Sequence, residues 1–533
     1  MRPAGAALRD RVLVVGAGIG GLTTALELAH HGFDVTVFDQ ASGPGGKMRQ
    51  VPSAAGPLDA GPTVFTMRWV FEALFDAIGE RLEDHVTLTR SETLARHAWA
   101  DGTRLDLFAD PARSEAAVAD AMGGAEAARF AAFTRRANLL FDAFDAPVMQ
   151  AAAPTPLSVT RAVMGDAVRL LPAMAPASTL WSALGRQFRD PRLRQLFARY
   201  ATYVGGSPLL SPAILMLIWA SEQRGVWLVD GGMHALARAL ERLGRARGVR
   251  FVYDTPVSRI TVSAGQVTGL RLHTGEHVPA PRVVFNGDPA ALAAGLLGDA
   301  VRPAVRATRP RDRSLSAFVW TYAPHTSGFP LAHHTVFFGD SSKTEFGDIF
   351  RAGRLPRQPT LYLCAQDRRE AAATPQGAER ILMIMNAPAN GDTHTYSREE
   401  VDICQTTVFT RLRAMGLTMT LPEPQEPALT TPAGFARLFP GTGGALYGAN
   451  PHGPLKTFSR PTAVTRITGL TLAGGGAHPG PGVPMSTLSG RRAAAAILAD
   501  RASTSSWTGT GMPGGTLTGS AATGATASRS SGS

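Results

Sequence analysis

At 533 residues the chain is long enough for two or three domains, and its 44% hydrophobic content excludes a disordered protein. Two cysteines, Cys364 and Cys404, exclude a disulfide framework and offer no zinc spacing, so a reducing, cytoplasmic setting and no metal are expected. A formal charge of +11 admits an anionic membrane surface as partner, but no aromatic-interleaved basic run or zinc finger supports nucleic-acid binding.

The opening Met1–Asp10 lacks the character of a secretory signal. Arg11–Val15, Gly16–Gly32 and Asp34–Asp39 read as strand, tight turn with amphipathic helix, and strand, together a βαβ unit. Within it, Gly16-Ala17-Gly18-Ile19-Gly20-Gly21 has the spacing of a dinucleotide loop. Gly16 permits the turn, Gly18 lets the backbone approach a pyrophosphate, and Gly21 lets helix pack on strand. The pyrophosphate would sit on the helix N-terminus, where N–H groups and the dipole favour anions. Asp39, 23 residues after Gly16, ends the second strand where a carboxylate would hold the adenosine ribose hydroxyls. Two further loops, Gly45-Gly46-Lys47-Met48 and Leu58-Asp59-Ala60-Gly61-Pro62-Thr63, follow closely and suit the far end of a long dinucleotide, which points to FAD rather than NAD.

From about Asp84 to Ala220 the pattern is mostly helical, with breaks at Pro111, Pro147, Pro154, Pro172 and Pro208. Pro208–Ala220 is apolar but too short to span a bilayer, and reads as a buried helix, a membrane-dipping element or a tunnel lining. After Val229-Asp230-Gly231-Gly232 a helix carries Met233, Leu236, Leu240 and Leu243 at helical spacing. Short strands between Phe251 and Phe285 then form a small antiparallel meander that returns to the first domain. Residues from Asp299 to Ser459 mix strands (Leu315–Tyr322, Leu361–Cys364, Ile381–Met385) with helices such as Glu399–Met415. Leu470–Ala473 reads as the last strand and Thr487–Leu498 as the last helix, and the Gly/Ser/Thr tail beyond Ala502 is expected to be disordered.

The run from Gly16 to Asp39, continued by Gly45-Gly46-Lys47, resembles the flavin-containing family that includes amine oxidases, phytoene desaturases and the Rab escort and dissociation-inhibitor proteins. Gly61–Val64, Asp230–Met233, Asn286–Pro289 and His333–Phe337 look like motifs of its bacterial carotenoid desaturase branch. The closing Ala477-His478-Pro479-Gly480-Pro481-Gly482-Val483-Pro484-Met485, with Ser489-Gly490-Arg491, resembles the version carried by 1-hydroxycarotenoid 3,4-desaturases.

That resemblance implies an α/β, amine oxidase-like flavoprotein fold. A Rossmann-like FAD-binding domain, parallel sheet plus antiparallel meander, would be assembled from residues 1–83, 222–298 and 460–501. An inserted α+β substrate- and membrane-binding domain would come from 84–221 and 299–459, with a tail over 502–533. Cofactor binding is carried over onto Gly16, Gly18, Gly21, Asp39, Gly46, Lys47, Gly61, Pro62, Val257, Gly475, Pro484 and Met485. The helix after Pro484 would point its N-terminus at the flavin. Many relatives place an acid near Gly475; here Gly474-Gly475-Gly476 leaves the work to backbone amides, so modest FAD affinity is expected.

The implied reaction removes two hydrogens from C3–C4 of an acyclic carotenoid with a 1-hydroxy or 1-methoxy end. Hydride loss from C4 leaves a cation spread over the polyene, and the C3 proton becomes acidic enough for a weak base, so no catalytic triad is needed. His478, His333 and His334 are candidate proton acceptors, with none assigned as catalytic. Without a second dinucleotide loop, a quinone or oxygen is the expected electron acceptor. A peripheral membrane surface is expected as partner, through Pro208–Ala220. Competing functions are a phytoene-type multi-step desaturase, an amine oxidase and a non-enzymatic lipid escort. The intact glycines and Asp39 argue against the last, and the absence of a cysteine near the closing motif argues against covalent amine oxidases.

Overall fold

The computed structural model describes residues 10–369, 375–421, 428–453, 456 and 459–507. Five parallel strands form one sheet in the order Leu470–Leu472, Arg282–Phe285, Arg11–Val15, Asp34–Phe38 and Arg250–Val252. Their continuous apolar runs suit a sheet covered on both sides. Alternation divides them: Val12, Val14, Val35 and Val37 pack towards helices, while Leu13, Val283 and Phe285 pack towards an antiparallel meander of Val257–Ser263, Gln266–Leu272 and His277–Pro279.

Three helices cover the first face. Ile19–His30 is buried along nearly its whole length, and His234–Ala246 presents Leu236, Ala237, Leu240 and Leu243 inward. The last helix, Val483–Trp507, lies directly on Ile19–His30. A Cβ at Gly490 would fall 2.3 Å from the Gly20 carbonyl oxygen, the Thr24 hydroxyl donates to the Gly490 carbonyl at 2.9 Å, and Arg491 pairs with Glu27 at 2.7 Å. This helix is longer at both ends than Thr487–Leu498. Ala502–Trp507, expected in the disordered tail, continue it, because extending a formed helix adds a hydrogen bond for each residue ordered. The rest of the expected tail lies outside the described residues.

A second, seven-stranded sheet builds the other body, in the order Ala428–Thr430, Ser316–Tyr322, Ile381–Ala387, Leu361–Ala365, His334–Phe337, Thr93–Ala98 and Arg104–Phe108. Ser316–Tyr322 is buried at every position. The last two strands come from the stretch whose sequence pattern is mostly helical. Polar residues hide their alternation: Arg96 pairs across the strands with Asp106 at 2.6 Å, and the buried His97 ring bonds the Leu105 carbonyl at 3.1 Å. Helices around Phe130, Phe133, Phe197 and Trp219 pack an aromatic core beside this sheet. Pro172, expected as a break, sits inside the helix Ala167–Met174.

Pro208–Ala220 packs largely within the protein and not as one continuous helix. It becomes a turn, a 3-10 segment (Ala213–Met216) and the start of the helix Leu217–Gln223, with Ala213, Leu215, Met216 and Trp219 buried and Leu210 its single exposed large side chain. Among the described residues, no helix is long and apolar enough to cross a membrane.

Candidate active site

Both bodies meet at a cavity of about 1820 Å³. The ends of the parallel strands, Val15, Phe38 and Phe285, open into it, the position at which open α/β sheets bind ligands. Of the residues expected to bind the cofactor, all but Gly21 line this cavity. Gly21 lies behind, where a Cβ would come 2.2 Å from the Gly16 carbonyl oxygen, so its glycine lets the helix sit on the strand.

The cradle is made by backbone packed too closely for side chains. Gly16 has φ +103°, and its carbonyl accepts from the Asn286 side-chain amide at 3.0 Å. That amide would lie 2.9 Å from a Cβ at Gly18. Gly45 donates to the Ala17 carbonyl at 2.9 Å, Gly46 packs over Gly18, and a Cβ at Gly475 would lie 3.1 Å from the Ser486 hydroxyl. Gly18 caps the helix Ile19–His30 without a side-chain bond to its first N–H groups. Asp39 accepts from the Ala17 and Ala41 N–H groups at 2.6 and 2.8 Å, while burial pushes its pKa above the ordinary carboxylate value. A glycine trough at a helix N-terminus, with a carboxylate at one end and the N-terminal turn of a second helix (Pro484, Met485) along it, is a donor set that fits FAD.

Lys47 is partly buried, donates to the Leu446 carbonyl at 2.5 Å and stands 5.1 Å from the Phe439 ring centre. Burial lowers its pKa, and the facing Asp288 partly restores it. Although Gly474–Gly476 carries no acid, Asp288 supplies one from another loop: a Cβ at Gly476 would lie 3.5 Å from its carboxylate. Arg460 donates to the Gly475 and Ala449 carbonyls, and burial brings its pKa down to about 10. Val257 opens the meander and reaches the same cavity.

Of the three candidate proton acceptors, His478 alone lines the cavity. Its Nε2 is 3.0 Å from the Ala151 carbonyl, and burial, reinforced by Arg492, lowers its pKa to about 4, so it is neutral near pH 7. His334 bonds the Tyr362 hydroxyl through Nδ1 at 2.8 Å, and burial holds its pKa well below the usual histidine value. His333 bonds the Arg368 carbonyl, and its Nε2 is 3.5 Å from Cys364 Sγ. His333, His334 and Cys364 bring potential metal-ligating atoms within 4.8 Å of one another, a proximity that their sequence spacing did not announce.

Beyond the cradle the wall turns apolar, with Phe141, Phe144, Ile214, Leu215 and Ile218. Into it projects a polar group that the sequence did not single out. Glu222 accepts from the hydroxyls of Tyr200 and of Tyr203, the latter at 2.6 Å. Arg199 lies between the rings of Tyr203 and Tyr362, whose centres are 5.5 and 5.2 Å from its Cζ. Burial raises the pKa of Glu222. The Tyr362 hydroxyl is 2.6 Å from that of Thr63, next to the Gly61-Pro62 loop. Asn286 was equally missed as a cradle residue, although its place at a strand end within Asn286-Gly287-Asp288-Pro289 was a usable signal.

A parallel-sheet dinucleotide cradle opening into an apolar chamber defines an FAD-dependent oxidoreductase. The family model described as flavin containing amine oxidoreductase matches residues 19–498, and the chain belongs to that family. It is 49% identical to a hydroxyneurosporene desaturase of Rubrivivax gelatinosus, over 96% of this chain and 98% of the relative. It is 51% identical to the hydroxyneurosporene desaturase of Cereibacter sphaeroides, over 93% and 99% of the two chains. Cyclohexylamine oxidase from Brevibacterium oxydans shares the fold, with a TM-score of 0.53 at 17% identity over 92% of this chain and 99% of that one.

Proposed function

We propose that the enzyme desaturates the C3–C4 bond of an acyclic carotenoid with a 1-hydroxy or 1-methoxy end, such as 1-hydroxyneurosporene, in carotenoid biosynthesis. The observation that carries this reading is the joining of a cofactor cradle and an apolar chamber in one cavity. Gly16, Gly18, Gly46, Gly61, Pro62 and Gly475 would hold FAD, with Gly21 and Val257 supporting the cradle, and Asp39 would hold its adenosine ribose. Lys47, Pro484 and Met485, on the same cavity wall, would hold the remainder. When bound, FAD supplies the acceptor for a hydride from C4. The apolar wall holds the polyene in line and excludes water. The N-terminal turn of Val483–Trp507 favours negative charge at the ring end. The C3 proton would pass to a weak base, for which the neutral His478 on the cavity wall is the candidate, so no dedicated strong base is needed. A quinone or oxygen is the electron acceptor that this reading requires.

The substrate class also calls for a membrane surface, on the cytoplasmic side. Leu157, Met164, Val168 and Leu171 are 62%, 72%, 88% and 49% exposed on the helices Pro156–Met164 and Ala167–Met174. Arg161 and Arg169 are exposed on the same pair, and Met174 reaches the cavity wall. Apolar insertion combined with attraction of these arginines to anionic headgroups supports peripheral docking here rather than at Pro208–Ala220.

The test is to incubate FAD-loaded enzyme with phytoene, neurosporene and 1-hydroxyneurosporene and to read the product spectra. The hydroxylated substrate should react far faster than neurosporene, and phytoene hardly at all. Equal turnover of phytoene would favour a multi-step desaturase.

A further inference from the structure

Arg199 is a cation in a mostly apolar chamber, and its accessible surface faces that chamber. A guanidinium has five N–H donors. Among the described residues, the Arg199 guanidinium donates one hydrogen bond, a long one of 3.5 Å to the Tyr203 hydroxyl oxygen. The hydroxyl hydrogens of Tyr200 and Tyr203 are turned towards Glu222, which leaves the Tyr203 oxygen to face Arg199. Glu222 offsets the charge of Arg199 through space without an ion pair between them. Donors left vacant in such a wall are costly unless an oxygen arrives to accept from them.

The position of this donor matters as much as its vacancy. From Arg199 the chain of contacts runs through the Tyr362 ring to Thr63, beside Gly61 and Pro62 in the cofactor wall. In a substrate oxygenated at C1, the oxygen is three bonds from C3. We propose that Arg199 donates to the C1 oxygen, and that this bond both selects oxygenated end groups and sets C3–C4 against the Gly61-Pro62-Thr63 wall. This proposal rests on the desaturase reading above. Arg199 only donates, so a 1-methoxy oxygen should be held as well as a 1-hydroxy one.

The experiment compares wild type with Arg199→Leu, Arg199→Lys and Tyr203→Phe as full-length, FAD-loaded enzymes, with flavin content as the check on folding. The readout is the ratio of kcat/KM for 1-hydroxyneurosporene to that for neurosporene, with the 1-methoxy compound alongside. A hydrogen bond to a charged group is worth about 1.5–3 kcal/mol, so Arg199→Leu should cut the ratio roughly 10- to 100-fold at one decade per 1.4 kcal/mol. Arg199→Lys should restore part of it, and Tyr203→Phe should lower it a few-fold. The 1-methoxy substrate should lose as much as the hydroxylated one. An unchanged ratio in flavin-replete Arg199→Leu, or in Arg199→Lys and Tyr203→Phe if the leucine variant does not fold, overturns the assignment of Arg199. A wild type without preference for oxygenated ends overturns the substrate reading itself.

Discussion

Gly61 and Lys47 are packed so closely that a Cβ on the first would lie 1.8 Å from the carbonyl oxygen of the second. Two loops that arrive from opposite ends of a short hairpin, Gln50–Val51 with Leu58–Asp59, are thereby locked together along the cofactor trough. Gly61→Ala must push them apart and should cost of order 1–3 kcal/mol through overpacking. Flavin-to-protein ratio and melting temperature report it. Gly347→Ala, where a Cβ meets nothing within 4 Å and the backbone is helical, is the control: it should leave the flavin ratio unchanged and the melting temperature no lower.

Gly18→Val tests the cradle more directly. Its Cβ would crowd the Asn286 amide at 2.9 Å and its methyl groups would fill the space the pyrophosphate needs. The protein should purify colourless. Stoichiometric flavin in this variant would overturn the assignment of that loop to the cofactor.

A pH effect is expected from Glu345. Burial raises its pKa from 4.5 to about 7, against bonds from Thr360 and Asn386 that pull the other way. The folded chain therefore keeps a proton that the unfolded chain releases near pH 4.5. The resulting contribution to stability is full below pH 4.5 and is lost as the pH rises through 7, a fall of roughly 3–4 kcal/mol at 1.36 kcal/mol per unit. Thermal melts at pH 5 and pH 8 should show this loss in wild type and a flatter profile in Glu345→Gln. Equal slopes would show that the carboxyl is ionised throughout.

Docking on anionic membranes should depend on the two exposed helices. Met164→Glu with Val168→Glu, at positions 72% and 88% exposed, should abolish flotation with anionic liposomes while leaving flavin content intact. Raising salt should weaken the wild-type interaction, because the Debye length falls from about 10 Å at 0.1 M to about 3 Å at 1 M. Wild-type protein that stays at the bottom of the gradient at low salt would remove the membrane from the account.

How much of this was legible in the chain follows the physics of each part. The βαβ unit could be read because close backbone approach demands glycine and buried parallel strands demand unbroken apolar runs, both local requirements. The strands Thr93–Ala98 and Arg104–Phe108 could not, because Arg96 and His97 are satisfied by partners across the ladder that only pairing brings near. Pro208–Ala220 reads the same in sequence whether it faces lipid or protein, and only the packing around Trp219 reveals how much of it is buried. The Arg199 group joins residues from 63 to 362, so its chemistry exists only in three dimensions.

The central strand Arg11–Val15 pairs with Arg282–Phe285, which pairs in turn with Leu470–Leu472, and the helix that follows lies against Ile19–His30. During synthesis the first loop of the cradle therefore emerges from the ribosome some 450 residues before the strand and helix that complete its walls. Chains fold domain by domain as they emerge, and long-range pairings wait for their partners. A nascent chain arrested before residue 470 would carry the whole glycine loop and still lack one side of the trough. Flavin incorporation should thus be among the last events in making this protein, and yellow colour a report that the C-terminal segment has docked.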